Sequence, residues 1–302
     1  MNLDNPEHDR QRQMLADAFT PEAVEKMRPL FQDSVDKLLD QMIAKGEKSK
    51  PVDLMENFAN QVPTQIIFKI LGVPEEDIEQ VSKDSEIRHS TSRNAAETSN
   101  KNLNSYVEGL VNKRIDKPEN DMISQLVQQY KDGNLEKEDV ATLAFTLLTA
   151  GNAAILNSIG LGIFTLLQHP DQLSEFKKNP SLAPQVINEI LRFHTVSALN
   201  CRRAVKENIT IGGQVRPSHQ FISSQTNILK HMKKNEGVIC AVQSGDRDES
   251  VVQNPNKFDI HRKYEPSKVL GFGYGPHRCL AEWFSRVQLE IALCMCTLHS
   301  SF

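Results

Sequence analysis

The sequence predicts a mainly α-helical protein with a small β component. Helix start signals recur along the chain, as at Thr20, Pro21 and Glu22, which are suited to an N-cap, a first helical position and an acidic first turn. Residues 141–167 form a long run without a charged residue. Strand-like alternation is rare and is clearest over residues 209–213. These three observations indicate a helical domain that carries a small sheet.

The elements follow from the same signals in chain order. The predicted helices cover residues 20–44, 51–71 with a break at Pro63, 74 onward, 103–114, 141–167, 170–178 and 183–193. Residues 90–101 are rich in Ser, Asn and Thr without an apolar stripe, so we expect a loop there. Residues 132–134 form a turn, and residues 209–213 alternate and then turn, as a hairpin does.

Composition restricts the function classes. The 302 residues, with 39% hydrophobic and 25% charged side chains, predict a soluble globular protein. The net charge of −4 argues against a nucleic-acid partner. The start of the chain resembles neither a signal peptide nor a membrane anchor. Because the uncharged run 141–167 contains several Asn, Ser and Thr side chains, we interpret it as a buried helix and not as a membrane span. Five cysteines without zinc or disulfide spacing favour a reducing compartment, so we expect a cytoplasmic protein.

One cysteine has a setting suited to chemistry. Cys279 follows a glycine-rich loop and precedes a helix-forming run, where the helix dipole and backbone N–H groups would lower the pKa of its thiol. A thiolate between a glycine-rich loop and a helix N-terminus can be the axial ligand of a haem iron. Gly273 and Gly275 would let the loop approach a flat ring, and His277 can donate to a haem propionate. The alternative is that Cys279 is merely a small buried hydrophobic residue, as free cysteines often are.

The loop resembles the haem-binding motif of the cytochrome P450 family, F-G-x-G-x-H-x-C-x-G. Phe272, Gly273, Gly275, His277 and Cys279 match it, whereas the last glycine is Ala281. The resemblance implies a cytochrome P450-like fold and haem b whose iron is bound by Cys279. It also implies that His8, Arg12, Arg203 and His277 contact the propionates and that Phe272 borders the haem.

Two further motifs of the family have counterparts. Glu189 and Arg192 match its buried E-x-x-R pair, with Arg262 as the third member of a structural network. Residues 150–154 occupy the place of its A-G-x-x-T segment, which crosses over the haem. Gly151 would leave room for a bound gas molecule, but Ala154 replaces the threonine that helps deliver protons to oxygen, which weakens the case for ordinary oxygen activation.

Longer strings resemble the fungal nitric oxide reductase branch of the family, among them residues 150–153, 179–185, 194–199 and 270–275. That branch reduces nitric oxide to nitrous oxide with electrons taken directly from NADH or NADPH, without a redox partner protein. The resemblance implies a catalytic role for Ser197 in proton relay, for Asn152 near the nicotinamide and for Gly151 at the gas site.

The chain also departs from this branch. We expect a single domain over residues 1–302 that is incomplete, lacking the N-terminal β-rich part and the C-terminal hairpin, with an atypical insertion at residues 217–234 that we interpret as a loop. Two alternatives therefore stay open. One is a monooxygenase acting on a small organic substrate with a redox partner, and the other is a non-catalytic, truncated haem-binding fragment. Optical spectra with haem, nitric oxide and NADH would distinguish them.

Overall fold

The computed structural model describes residues 3–46, 50–88, 91–197, 203–204, 207, 209–211, 230–263 and 269–299. These residues are predominantly helical, which confirms the predicted fold class. The α-helices are α1 (Glu7–Ala16), α2 (Pro21–Gly46), α3 (Gln61–Leu71), α4 (Ile78–Ile87), α5 (Arg93–Asp116), α6 (Met122–Lys131), α7 (Lys137–Ala150), α8 (Asn152–Gln168), α9 (Pro170–Lys178), α10 (Ala183–His194), α11 (Val242–Gly245) and α12 (Glu282–His299).

The β component of the described residues consists of two small antiparallel pairs. The strands are β1 (Arg203–Ala204), β2 (Ile209–Ile211), β3 (Lys230–Met232) and β4 (Gly237–Val238). β1 pairs with β4, and β2 pairs with β3 with Thr210 opposite His231. The partner of β2 is therefore not the next few residues, as the predicted hairpin required, but a segment that falls within residues 217–234. We expected the insertion at residues 217–234 to be a loop, and this is wrong for residues 230–232, which form β3. Residues 212–229 lie outside the described part.

The core is built around α12. This helix packs against α2, α8 and α10, and its Phe284 ring meets the edges of Phe19 and Phe31 at centroid distances of 5.7 and 5.0 Å. Such edge-to-face aromatic contacts stabilise a core beyond the area that they bury. Because α12 follows directly on the Cys279 loop, this packing anchors the loop to the rest of the helical domain.

Two predicted details of the helices are wrong. The break expected at Pro63 lies instead at Asn60, between a π-helical turn at Met55–Ala59 and α3. Pro63 is the third residue of α3, where a backbone N–H has no intrahelical acceptor and its loss costs little. The loop expected over residues 90–101 is helical from Arg93, because Ser92 caps α5 by accepting from the Ala95 N–H.

The uncharged run is divided into two helices rather than one. α7 ends at Ala150 and α8 begins at Asn152, while Gly151 keeps a right-handed backbone, so the chain bends without reversing. By length and composition residues 137–168 qualify as a candidate membrane span, but half of the most apolar stretch is buried. Because α8 packs against α3, α10 and α12, we interpret the pair as core helices, as the sequence predicted.

Candidate active site

The Cys279 loop is held in shape by its own backbone and by Arg278. The loop contains two 3₁₀ turns, Leu270–Phe272 and Gly275–His277. Gly273, between them, and Gly275, which begins the second, have positive φ of 78° and 74°. The Cys279 N–H donates to the Phe272 carbonyl at 2.8 Å, and Arg278 Nη1 donates to the Gly273 carbonyl at 2.9 Å. These bonds close the loop so that it ends on Cys279 just before α12.

A cavity of about 350 Å³ separates this loop from the junction of α7 and α8. Cys279 lines one wall, and Gly151, Asn152 and Ala154 line another. The cavity is also lined by Ser197, Phe272 and His277. Six of the nine residues predicted for the site thus border one cavity, although their catalytic and binding roles stay predictions.

The electrostatic setting of Cys279 differs from the expectation. Cys279 has solvent-accessible surface facing the cavity, but the protein atoms that surround it desolvate the thiol and thereby raise its pKa. The Ala281 backbone N–H, Arg12 and Arg278 act in the predicted direction and lower the pKa, but they are outweighed. The prediction of a lowered pKa from loop and helix alone is therefore wrong, because it omitted burial. Coordination by a metal ion would deprotonate such a thiol.

The predicted propionate contacts are only partly assembled. His8 is 2% exposed, its ring centroid lies 4.2 Å from that of His277, and its Nδ1 is 2.9 Å from Asp9 Oδ1. Arg12 is half-buried and close enough to act on the Cys279 pKa, although neither His8 nor Arg12 lines the cavity. The Arg203 side chain lies outside the described part. Phe272 lies under the Arg286 guanidinium, 5.0 Å from the ring centroid.

The C-terminus of α7 is capped by Arg88, a residue that the sequence analysis did not identify. Arg88 Nη1 donates to the Thr149 carbonyl at 3.1 Å, which satisfies one of the carbonyls that the interruption at Gly151 leaves without an α-helical partner. A cation at a helix C-terminus also complements the helix dipole. Arg88 follows α4, far from Thr149 in the chain, so no local sequence signal connects the two.

The predicted structural network is confirmed. Arg192 Nε and Nη2 each donate to a Glu189 carboxylate oxygen at 2.8 Å, and Arg262 Nε donates to Glu189 Oε2 at 3.2 Å. Glu189 is 0% and Arg192 1% exposed. Arg192 Nη1 further donates to the Pro255 carbonyl at 2.8 Å. The network ties α10 to the segment before the Cys279 loop and takes no part in the cavity wall.

The residues around the cavity fit a haem. Gln288 of α12 lines the cavity, is 2% exposed, and its Oε1 has no hydrogen-bond partner among the described residues, unlike most buried polar atoms. At Gly271 a Cβ would lie 3.0 Å from Leu191 Cβ, so a larger residue would require Leu191 to shift. No cluster of three His, Cys, Asp or Glu side chains suited to a metal ion occurs within the described ranges. A single thiol beside a largely apolar space suits an iron whose other ligands come from a macrocycle.

Comparison with known proteins agrees with this geometry. The family model for cytochrome P450 matches residues 73–300. The chain belongs to the cytochrome P450 family. It is therefore an oxidoreductase of the haem-thiolate type, and Cys279 occupies the position of the thiolate ligand in the motif.

Relatives and solved structures support the assignment over nearly the whole chain. This cytochrome P450 is 41% identical to cytochrome P450 55A3 of Fusarium lichenicola, covering 96% of this chain and 68% of that relative. It is 33% identical to cytochrome P450 GfsF of Streptomyces halstedii, covering 95% of this chain and 66% of that relative. The crystal structure of mycinamicin VIII C21 methyl hydroxylase MycCI from Micromonospora griseorubida is similar with a TM-score of 0.85 at 31% identity, covering 98% of this chain and 71% of that one. The chain spans about two thirds of the length of these relatives.

Proposed function

We propose that this cytochrome P450 reduces nitric oxide to nitrous oxide with electrons taken directly from NADH or NADPH. The observation that carries the proposal is the wall opposite Cys279, where Gly151 and Asn152 border the cavity and Ala154 offers no hydroxyl for oxygen activation. The chain is also 41% identical to cytochrome P450 55A3 of Fusarium lichenicola, and its sequence resembles the fungal nitric oxide reductase branch of the family.

The haem would be held by residues at both ends of the cavity. When bound, it would supply an iron that can take up a small gas molecule. Cys279 is the thiolate ligand in this proposal, and Phe272 packs beside the ring. His8, Arg12, Arg203 and His277 supply imidazole and guanidinium groups for the propionates.

The chain's own residues then position the reactants. Gly151 has open space where a Cβ would stand, so this wall leaves room for a small gas molecule. The Asn152 side chain carries amide donors and an acceptor beside that space, which suits it to orient a nicotinamide carboxamide. The Ser197 hydroxyl also borders the cavity and is proposed to pass a proton toward the reacting nitric oxide.

The proposal has consequences for partners and location. Direct use of a nicotinamide cofactor requires no redox partner protein, and the substrate is the gas itself. We also propose a cytoplasmic location, where the nicotinamide pool is available. The thiols of Cys240, Cys279 and Cys294 form no disulfide among the described residues, which is compatible with a reducing compartment.

The test is nicotinamide oxidation under anaerobic conditions. Haem-loaded protein should oxidise NADH or NADPH only when nitric oxide is added, with nitrous oxide as product. Ser197→Ala should slow this reaction by roughly 10²–10⁴-fold, the usual contribution of a proton-transferring group, at unchanged haem content. Ser244→Ala, an exposed serine of α11 outside the cavity, should leave the rate unchanged.

Other outcomes select the alternatives. Binding of nitric oxide without nicotinamide oxidation would overturn the proposal and favour a monooxygenase that needs a redox partner. Mycinamicin VIII C21 methyl hydroxylase, 31% identical to this chain, has a name of that kind. Haem-loaded protein that neither oxidises a nicotinamide with nitric oxide nor hydroxylates an organic substrate with a redox partner would instead indicate the non-catalytic haem-binding fragment.

A further inference from the structure

A second cavity lies on the other side of the α7–α8 junction. It has a volume of about 450 Å³ and lies between α3, α4 and α8. Its lining is dominated by neutral amide and hydroxyl groups, namely those of Asn60, Gln61, Thr64, Ser82, Ser85 and Asn157. We call this space the polar cleft. Side chains of this kind offer both donors and acceptors, which is the setting that ordered water requires.

Asn152 belongs to both cavities. It is the first residue of α8, and it lines the polar cleft as well as the cavity that contains Cys279. Its neighbour Ala153 lines only the cleft, and Ala154 lines only the Cys279 cavity. One amide side chain therefore stands where the two spaces adjoin, and the alanines beside it provide no hydroxyl or carboxyl group for a proton.

The polar cleft carries a carboxyl group at its solvent side. Among the described residues that line it, Glu86 of α4 is the only ionisable one, and its side chain is exposed. Asn60 Nδ2 donates to Glu86 Oε1 at 2.7 Å, which orients the carboxylate within the cleft. The Thr64 hydroxyl donates to the Asn60 carbonyl at 2.8 Å, so the donor itself is anchored to α3.

We propose that the polar cleft is a water-filled proton inlet to the cavity that contains Cys279, with Glu86 as the carboxyl group that exchanges protons with solvent and Asn152 as the amide that joins the two water-accessible spaces. Its use in catalysis rests on the proposed function. In that reaction two nitric oxide molecules, one NADH and one proton give nitrous oxide, water and NAD⁺. The nitrogen atoms join, one N–O bond breaks, and the oxygen released takes one hydrogen from the nicotinamide and one proton from solvent. The inlet supplies that proton.

Two variants test this role by the rate of nitric-oxide-dependent NADH oxidation. Ala153→Leu places a larger apolar side chain in the polar cleft, and Glu86→Gln removes the ionisable group while keeping the acceptor for Asn60. Each should slow turnover by about tenfold or more and enlarge the solvent deuterium isotope effect, since proton transfer becomes limiting. Glu79→Gln is the matched control, because Glu79 lies on α4 outside the cleft and pairs with Lys83 at 2.6 Å. Unchanged rates and isotope effects in Ala153→Leu and Glu86→Gln would overturn the inlet.

Hydrogen exchange tests the inlet without relying on activity. In haem-loaded protein the amides of residues 152–154 should exchange rapidly, and Ala153→Leu should slow them, whereas Glu79→Gln should not. Slow exchange in the unmodified protein, or exchange that Ala153→Leu leaves unaffected, would show that the cleft does not bring water to the junction. If nitric oxide drives no NADH oxidation, the proposed function fails, and the exchange measurement alone decides whether the inlet exists.

Discussion

At the scale of single residues, Cys279 shows how burial and local structure oppose each other. Loop and helix groups act to lower the pKa of its thiol, as at the Ala281 N–H, but desolvation is the largest influence and raises it. The thiol is thus poor as a free nucleophile but well placed to be deprotonated by a bound metal ion. This combination suits a structural ligand of iron rather than a redox-sensing cysteine.

Replacing Cys279 should remove the iron ligand. Cys279→Ala should abolish the thiolate-type absorption spectrum of the carbon monoxide complex, because the motif places no other cysteine at this position of the cavity. The measurement is the difference spectrum of reduced protein with carbon monoxide. Cys240→Ala, which alters an exposed cysteine away from the cavity lining, should keep the spectrum. Retention of that spectrum in Cys279→Ala would contradict the assignment.

A second prediction concerns the backbone conformation of the loop at Gly273. Gly273 has φ of 78° and ψ of −171°, an extended positive-φ region that is essentially restricted to glycine and costs an L-residue roughly 1–3 kcal/mol, although a Cβ there meets nothing closer than 3.9 Å. Gly273→Ala should therefore lower the free energy of unfolding by about that amount and weaken haem retention. Chemical denaturation and haem absorbance measure the two effects.

Gly109→Ala provides the control. Gly109 lies in α5 and has open space around the Cβ position, so alanine should be neutral or stabilise by about 0.5–1 kcal/mol. Equal effects of the two substitutions would show that the positive φ of Gly273 is not what the loop requires.

At the scale of elements, the network at Glu189 links parts of the chain that are far apart in sequence. Glu189 and Arg192 lie on α10, while Arg262, the Asp259 N–H and the Pro255 carbonyl belong to the segment that leads to the Cys279 loop. A buried ion pair is worth little on balance but is expensive to break on one side, because the remaining charge stays buried without compensation. The network thus holds the approach to the loop in one arrangement.

Removing the carboxylate should disrupt that arrangement. Glu189→Ala leaves two guanidinium groups without their carboxylate partner and should cost on the order of 3–5 kcal/mol, giving insoluble or haem-free protein. Solubility, haem content and denaturant midpoint are the measurements. Glu175→Ala removes an exposed acid of α9 that pairs with His261 and should change stability by at most about 1 kcal/mol. A folded, haem-loaded Glu189→Ala protein would show that the network is dispensable.

At the scale of the whole molecule, stability should depend on pH through a histidine between two core helices. His194 Nε2 of α10 lies 2.6 Å from Thr165 Oγ1 of α8. Burial lowers the pKa of His194, and the Arg247 charge adds to the effect. The folded state therefore disfavours the imidazolium, and the unfolded state binds a proton more readily.

The folded protein should become less stable as the pH falls. The contribution of neutral His194 to the free energy of unfolding is fully present above the unfolded pKa of about 6.5 and is lost as the pH falls through the lower folded pKa. His194→Gln should flatten the decline of unfolding free energy below about pH 6.5, measured by denaturation at a series of pH values. His261→Gln, which changes an exposed histidine, should leave the slope unaltered. An unaltered slope in His194→Gln would contradict the prediction.

Local sequence patterns determined the helical class, the Cys279 loop and the residues of the Glu189 network. They succeed where the required information lies within a few residues, as in the spacing of Phe272, Gly273, Gly275, His277 and Cys279, or where the motif of a family supplies the distant partner, as for Arg262. Backbone geometry within such a loop depends on neighbours in the chain, which the sequence displays directly.

Only the tertiary structure decided what depends on packing. The raised pKa of Cys279 results from desolvation by distant segments, the capping of α7 by Arg88 joins residues far apart in the chain, and the helical state of residues 93–101 has a tertiary anchor in the Ser99 hydroxyl, which donates to the Asp84 carbonyl. The polar cleft, too, exists only because α3, α4 and α8 meet. Burial and long-range hydrogen bonds are properties of assembled elements, so periodicity and motif spacing cannot contain them.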